Sequence, residues 1–159
     1  MSDFQTTAPR IAVNIMYDGT RYCGWQVQQN AVSVQQMVQN ALEELLSFRP
    51  DISGCSRTDG VHANQYVFHM SAENIRISPE KLPLALNARL HGSDIAVKSA
   101  CLVPPDFHAR YSCIQKEYIY KIWNAPYMSP FYEGRAWFFP YALDEKALGF
   151  VGEEFCGTH

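Results

Sequence analysis

Apolar and polar residues alternate near the start of the chain. Ile11, Val13, Ile15 and Tyr17 fall on one side of an extended segment, and their neighbours fall on the other. A period of two with β-branched residues is typical of a half-buried strand, so residues 11–17 are predicted to be one. Further strands are predicted over residues 52–57, 64–72, 94–103 and 116–124, the first of them short.

Residues 33–48 instead place apolar side chains three and four positions apart, which predicts an amphipathic helix. Ser33 and Gln36 form a capping-box pair at its start. A second helix is predicted over residues 78–90, with Ser78 as its cap; Pro83 inside it predicts a shifted or irregular start. Residues 143–150 are expected to form a short third helix.

The predicted order is strand, helix, strands, helix, strand, strand. Short connections between such elements indicate an α/β (α+β) fold with a largely antiparallel sheet and helices on one face, of ferredoxin-like character. We expect residues 1–105 to form an N-terminal ferredoxin-like subdomain. Residues 106–159 are expected to begin a second subdomain.

Composition agrees with a folded domain, since 47% of the 159 residues are hydrophobic and 18% are charged. The net charge of −3 argues against a generic nucleic-acid binder, so any RNA contact must depend on a local basic patch. Five scattered cysteines without a CxxC pair indicate reduced thiols and no zinc site. Neither a signal peptide nor a membrane span is expected, which favours a cytoplasmic location.

The segment SRTDGVHANQYVFHM, residues 56–70, contains the most suggestive chemistry. Arg57, Thr58 and Asp59 stand at the mouth of a predicted strand. One interpretation is an ordinary turn with an ion pair. The other is a carboxylate kept ionised by a neighbouring guanidinium and available to attack an electrophilic carbon.

Other polar residues give weaker signals. His62 and His69 do not match a metal-binding spacing and are expected to be surface or packed histidines. In residues 17–26, two glycines are spaced so that backbone could approach a phosphate, although a turn carrying core aromatics is equally consistent. Residues 107–121 combine Arg110 with lysines and tyrosines, as expected of a surface that holds a phosphate and stacks a base.

Several motifs, in order along nearly the whole chain, resemble the bacterial tRNA pseudouridine synthase A family. They are YDGTRYCGWQVQ (17–28), VQQMVQNAL (34–42), SRTD-GVHA (56–63), ALNARL with DIAV (85–97), FHARY (107–111), KEYIYKI (116–122) and GTH (157–159). This resemblance implies an enzyme that isomerises uridine in the anticodon stem-loop of tRNA, at positions 38–40. It implies a homodimer, with no metal and no cofactor.

The resemblance also implies roles for individual residues. Asp59 follows Arg-Thr as the family's catalytic aspartate does, and Tyr118 matches the active-site tyrosine. Arg57 is expected to pair with Asp59 or with a phosphate. Arg21 and Arg110 are further candidates for RNA contact.

Two departures from the family pattern keep alternatives open. Asp59 directly precedes Gly60, where the family has one more residue between them, and family members continue into a second half. Loss of one residue shifts an extended chain by about 3.3–3.6 Å. A catalytically inactive RNA-binding module of the same fold is therefore a second hypothesis, and an α/β scaffold that binds protein through its aromatics is a third.

Overall fold

The computed structural model describes residues 8–158. The chain divides into two compact units, Met1–Gln115 and Lys116–His159. The start of the chain, where no signal peptide is expected, and the final histidine of the GTH motif lie outside the described residues.

The first unit is built on a four-stranded sheet. Its strands are β1 (Arg10–Tyr17), β2 (Ser53–Gly54), β3 (Ala63–Ser71) and β4 (Ile95–Val103). They lie in the order β2-β3-β1-β4, and each neighbouring pair is antiparallel. β1 is central, and its register is shifted against β3 near the end that leads into residues 18–25.

Two helices cover one face of this sheet. They are α1 (Val34–Leu46) and α2 (Leu82–Arg89). Val38 of α1 and Leu86 of α2 are completely buried in the same cluster as the inward-facing side chains of β1. The predicted α/β class, with a mostly antiparallel sheet and helices on one face, is confirmed for this unit.

The helix ends agree with the sequence in most details. The Ser33 hydroxyl accepts a hydrogen bond from the Gln36 amide at 3.2 Å, as an N-cap should. A 3₁₀ turn, Pro79–Lys81, precedes α2, so the irregular start predicted from Pro83 is confirmed. Ser78 is the N-cap residue of this 3₁₀ turn, but its side chain makes no capping hydrogen bond.

The second unit has little regular structure. It contains β5 (Ile122–Trp123), paired in parallel with β6 (Trp137–Phe138), and the helix α3 (Glu145–Glu153). The strand predicted over residues 116–124 is therefore wrong before Ile122. Alternating side chains do not make a strand without a partner to complete its hydrogen bonds, and β6 offers two residues.

None of the described helices has the length and apolar character needed to span a bilayer.

Candidate active site

Asp59 lies in the loop that joins β2 to β3, at residues 55–62. Gly60 follows it with a φ of 73°, a left-handed conformation that side chains disfavour. The Asp59 side chain is exposed to solvent. The loop therefore turns sharply just after the carboxylate and leaves it accessible to a ligand.

A second loop, residues 18–25 after β1, holds the backbone of the Asp59 loop. The Gly60 amide donates a hydrogen bond to the Tyr22 carbonyl at 3.3 Å, and the Trp25 amide donates to the Arg57 carbonyl at 3.2 Å. These bonds bracket Asp59, one on each side in sequence. Because backbone bonds carry the contact, it fixes the path of the chain around the carboxylate.

Two glycines allow the loops to approach this closely. A Cβ atom on Gly24 would collide with the Arg57 carbonyl oxygen and would lie 3.3 Å from Asp59 Oδ1; the φ of Gly24 is also 67°. A Cβ atom on Gly19 would collide with the Val61 carbonyl. These glycines, interpreted from the sequence as a place where backbone could approach a phosphate, are in close contact with the Asp59 loop.

His62 adds a side-chain contact between the same two loops. Its Nδ1 atom lies 3.0 Å from the Gly19 amide nitrogen and 3.1 Å from Asp18 Oδ1. The same carboxylate oxygen accepts hydrogen bonds from the amide and hydroxyl of Thr20. His62 therefore belongs to the polar junction between the loops, as the expectation of a packed or surface histidine allows.

Arg57 contacts its own loop and a core aromatic ring. Ion pairs within residues 8–158 include those of Arg21 with Asp94, Arg49 with Glu43 and His62 with Asp18. The Arg57 guanidinium donates to the Ser56 carbonyl at 2.8 Å and lies 5.2 Å from the centre of the Tyr66 ring.

Tyr66 supports this arrangement from the core. It is buried, and its hydroxyl donates to the Cys55 carbonyl at 2.5 Å. Burial raises the pKa of the Tyr66 phenol, so the hydroxyl stays protonated and remains a donor. Its ring packs against Trp25 with centroids 4.3 Å apart. The Asp59 loop is therefore anchored to the core through Cys55 and Tyr66.

Arg21 is engaged elsewhere on the same unit. Its Nε atom lies 2.6 Å from Asp94 Oδ2, and another of its nitrogens donates to the Gly92 carbonyl at 3.0 Å. The neighbouring Tyr22 hydroxyl donates to the Ser93 carbonyl, and burial raises the pKa of that tyrosine. These contacts tie the 18–25 loop to the segment before β4.

The two remaining candidates lie farther along the chain. Arg110 is exposed on a turn that follows β4, with its guanidinium carbon 5.7 Å from the Tyr111 ring centre. Tyr118 belongs to the second unit, where it is 54% exposed and lies before β5. The structure thus places Asp59 and Arg57 in one loop and Arg21 in the loop that supports it.

Sequence reasoning missed the supporting residues. It interpreted Gly24 as a site for phosphate approach and assigned no role to Tyr66. Neither contact has a local signal, because Gly24 and Arg57 are brought together only by the pairing of β1 with β3. Among residues 8–158, no three His, Cys, Asp or Glu side chains cluster in a way that would hold a metal ion.

Residues 13–112 match the family model described as tRNA pseudouridine synthase. The match covers most of the first unit, including both loops at the site. The chain belongs to the tRNA pseudouridine synthase family.

Curated relatives agree. The chain is 44% identical over 128 residues to tRNA pseudouridine synthase A of Ruminiclostridium cellulolyticum, covering 80% of this chain and 51% of that protein. It is 38% identical over 152 residues to the protein of the same name from Rhodopseudomonas palustris, covering 95% and 61%. For the Staphylococcus aureus protein the values are 38% over 151 residues, covering 94% and 56%. The chain spans a little over half the length of these relatives.

Proposed function

We propose that this chain takes part in converting uridine to pseudouridine in tRNA, with Asp59 as the catalytic carboxylate. The observation that carries the proposal is the exposed Asp59 side chain in a loop braced on both sides by residues 18–25. Membership of the tRNA pseudouridine synthase family supplies the reaction. A carboxylate that must meet one sugar carbon needs a fixed backbone, and the two bracketing hydrogen bonds provide it.

The reaction rearranges bonds within one nucleotide. The bond between uracil N1 and ribose C1′ breaks, the base turns, and a bond forms between C5 and C1′. The C5 proton leaves and N1 gains one, so no electrons are exchanged with a partner. Two roles for Asp59 are compatible with this balance: addition to C1′, or a part in forming a glycal intermediate.

The target base must leave its stack before Asp59 can reach the sugar, at a cost of a few kcal/mol. We propose that Tyr118 binds the RNA by stacking on a base, which is worth about 1–3 kcal/mol per base. Arg57 and Arg110 would contact phosphates or the flipped nucleotide. Arg21 would join them while keeping or exchanging its ion pair with Asp94.

The further parts of the proposal follow from the family. The substrate is the anticodon stem-loop of tRNA, at positions 38–40, and the working protein is a cytoplasmic homodimer that uses neither a metal nor a cofactor. The second unit, with Tyr118, is proposed to begin the second subdomain.

The experiment is release of tritium from tRNA labelled with 5-[³H]uridine. Asp59→Asn should lower the release rate by at least about 1000-fold, because the amide cannot act as a nucleophile or base. Asp51→Asn is the matched control, since Asp51 is another exposed aspartate of the same unit. Equal rates for the wild-type protein and Asp59→Asn would refute the assignment of Asp59 as the catalytic carboxylate.

A second candidate function is an RNA-binding module without activity. The observation that favours it is the direct junction of Asp59 with Gly60, one residue shorter than the family pattern. Absence of tritium release together with intact tRNA binding would establish this alternative. A salt titration of tRNA affinity separates the isomerase and the RNA-binding module from a protein-binding scaffold. Phosphate contacts make the logarithm of affinity fall with the logarithm of salt concentration, whereas a scaffold should give a slope near zero.

A further inference from the structure

The turn that follows β4 is held by side chains from distant parts of the first unit. Three of its backbone groups, in residues 107–109, are hydrogen-bonded to Arg10 on β1, His69 on β3 and Cys55 beside β2. Local bonds also shape the turn, since the Arg110 and Tyr111 amides donate to His108 Nδ1 at 3.2 and 3.3 Å. The long-range bonds add to these and attach the turn to the sheet.

His69 provides the most specific of these bonds. It is 7% exposed, and its Nδ1 atom accepts a hydrogen bond from the Ala109 amide at 3.1 Å. Burial, with His108 and Arg10 nearby, lowers the pKa of His69 to about 4. The imidazole is therefore neutral near pH 7, as an acceptor at Nδ1 must be.

Arg10 and Cys55 hold the flanking carbonyls. An Arg10 guanidinium nitrogen donates to the Phe107 carbonyl at 2.5 Å, and the Cys55 thiol donates weakly to the Ala109 carbonyl at 3.6 Å. The His69 ring also meets the ring of His108 at 4.6 Å between centroids. Ala109 is buried as a result, so the turn packs against the sheet.

The turn presents two exposed side chains directly after Ala109. Tyr111 is 77% exposed and lies with its ring 4.3 Å from that of His108, inclined at 36°. Arg110 is exposed next to it and, within the described part of the chain, forms no ion pair. The Arg110 guanidinium lies 5.7 Å from the centre of the Tyr111 ring, so a cation and an exposed aromatic ring stand side by side, as contact with one phosphate and one unstacked base requires.

We propose that Tyr111 and Arg110 form a nucleotide-contact site for single-stranded RNA, and that His69 and Arg10 are its positioning residues. This inference rests on the proposed function, since it assumes a tRNA substrate. It adds Tyr111 as a base-stacking residue and gives His69 a role that acts only through the turn.

The test is a double-mutant cycle on the affinity of the 159-residue chain for unmodified tRNA transcript. Arg110→Ala and Tyr111→Ala should each weaken binding about 10-fold in the unmodified background. His69→Leu, which removes the acceptor, should also weaken it about 10-fold. In the His69→Leu background, Arg110→Ala should then cost less than about 2-fold, because the guanidinium is no longer held in place.

His69→Asn is the conservative variant, since its amide oxygen can replace Nδ1 as the acceptor. It should restore most of the affinity, and it keeps the test usable where the leucine variant does not fold. Arg89→Ala, which removes another exposed guanidinium of the unit, is the control for loss of charge and should change binding by less than about 2-fold. Equal losses for Arg89→Ala and Arg110→Ala would overturn the proposal.

Two outcomes separate this inference from the proposed function. If tRNA binds and tritium is released, but the losses from His69→Leu and Arg110→Ala multiply, the positioning role is refuted and the isomerase proposal stands. If no tritium is released but the two changes are non-additive in binding, the nucleotide-contact site stands and the isomerase proposal fails. Hydrogen exchange of the Ala109 amide, slow in unmodified protein and fast in His69→Leu, checks the anchoring without RNA.

Discussion

The two units place the same kinds of side chain in opposite environments. In the first unit, Trp25 and Phe68 are at most 1% exposed. In the second, Trp137 is 62% exposed and Phe155 is 79% exposed, and none of its described residues is buried. Aromatic content alone therefore does not predict a core. What differs is the scaffold, because only the first unit has a four-stranded sheet with helices to pack against.

The largest difference between the units should be the loss of stability when an aromatic side chain is truncated to alanine. Phe68→Ala removes a fully buried ring that packs against Trp25, and it should lower the free energy of unfolding by about 3–5 kcal/mol. Phe155→Ala, in the exposed part of the second unit, should change it by less than about 0.5 kcal/mol. Urea unfolding followed by circular dichroism measures both values. A cost above 2 kcal/mol for Phe155→Ala would contradict the comparison.

Two glycines, one in each unit, extend the comparison to the site. Gly24 and Gly134 both have positive φ, of 67° and 70°, but only Gly24 has neighbours within reach of an added Cβ atom. Gly24→Ala should cost about 1–3 kcal/mol from steric overlap, added to about 1–2 kcal/mol of backbone strain. Gly134→Ala should cost only the backbone strain.

Denaturant midpoints give the stability of both glycine variants, and tritium release reports the site. Gly24→Ala should slow release more than Gly134→Ala, since the added Cβ atom displaces Arg57 and Asp59. Equal losses of stability in the two variants would show that Gly24 does not contact the Asp59 loop.

The last expected effect is a dependence of stability on pH in the first unit, which appears only below about pH 6.5. The pKa of His69 is lowered from 6.5 to about 4, chiefly by burial and also by His108 and Arg10. The unfolded chain therefore binds a proton that the folded chain does not. The free energy of unfolding should be undiminished above about pH 6.5 and should fall as the pH drops from 6.5 towards 4.

Unfolding measured at several pH values checks this slope, and His69→Asn should make it shallower. His108 contributes in the same direction, because burial lowers its pKa as well, so His108→Asn is the companion variant. An unchanged slope in His69→Asn would assign the effect to other groups.

Most of the first unit could be predicted because its signals are local. The alternation at Ile11, Val13 and Ile15 and the cap at Ser33 each depend on residues a few positions apart, and both are confirmed. The strand expected over residues 116–124 failed because a ladder needs a partner, and no pattern within those residues reveals whether one exists.

In the site, too, features with a local sequence signal were predicted, and contacts between distant residues were not. The exposed turn at Asp59 was foreseen from Arg-Thr-Asp-Gly, whereas the contacts of the Arg57 guanidinium with the Ser56 carbonyl and the Tyr66 ring were not. The proximity of two residues in sequence does not fix where a long side chain points. Gly24 and His69 were missed as supports because their partners lie 33 and 40 residues away, joined only by the folded sheet.

The contact between residues 18–25 and the Asp59 loop has a practical consequence for protein engineering. A graft of residues 56–62 into another ferredoxin-like scaffold would carry over the carboxylate. It would not carry over the residues that hold the loop in place, which include Gly24 and the Tyr22 carbonyl. A graft should therefore include both segments, and a change of length in either should be compensated in the other.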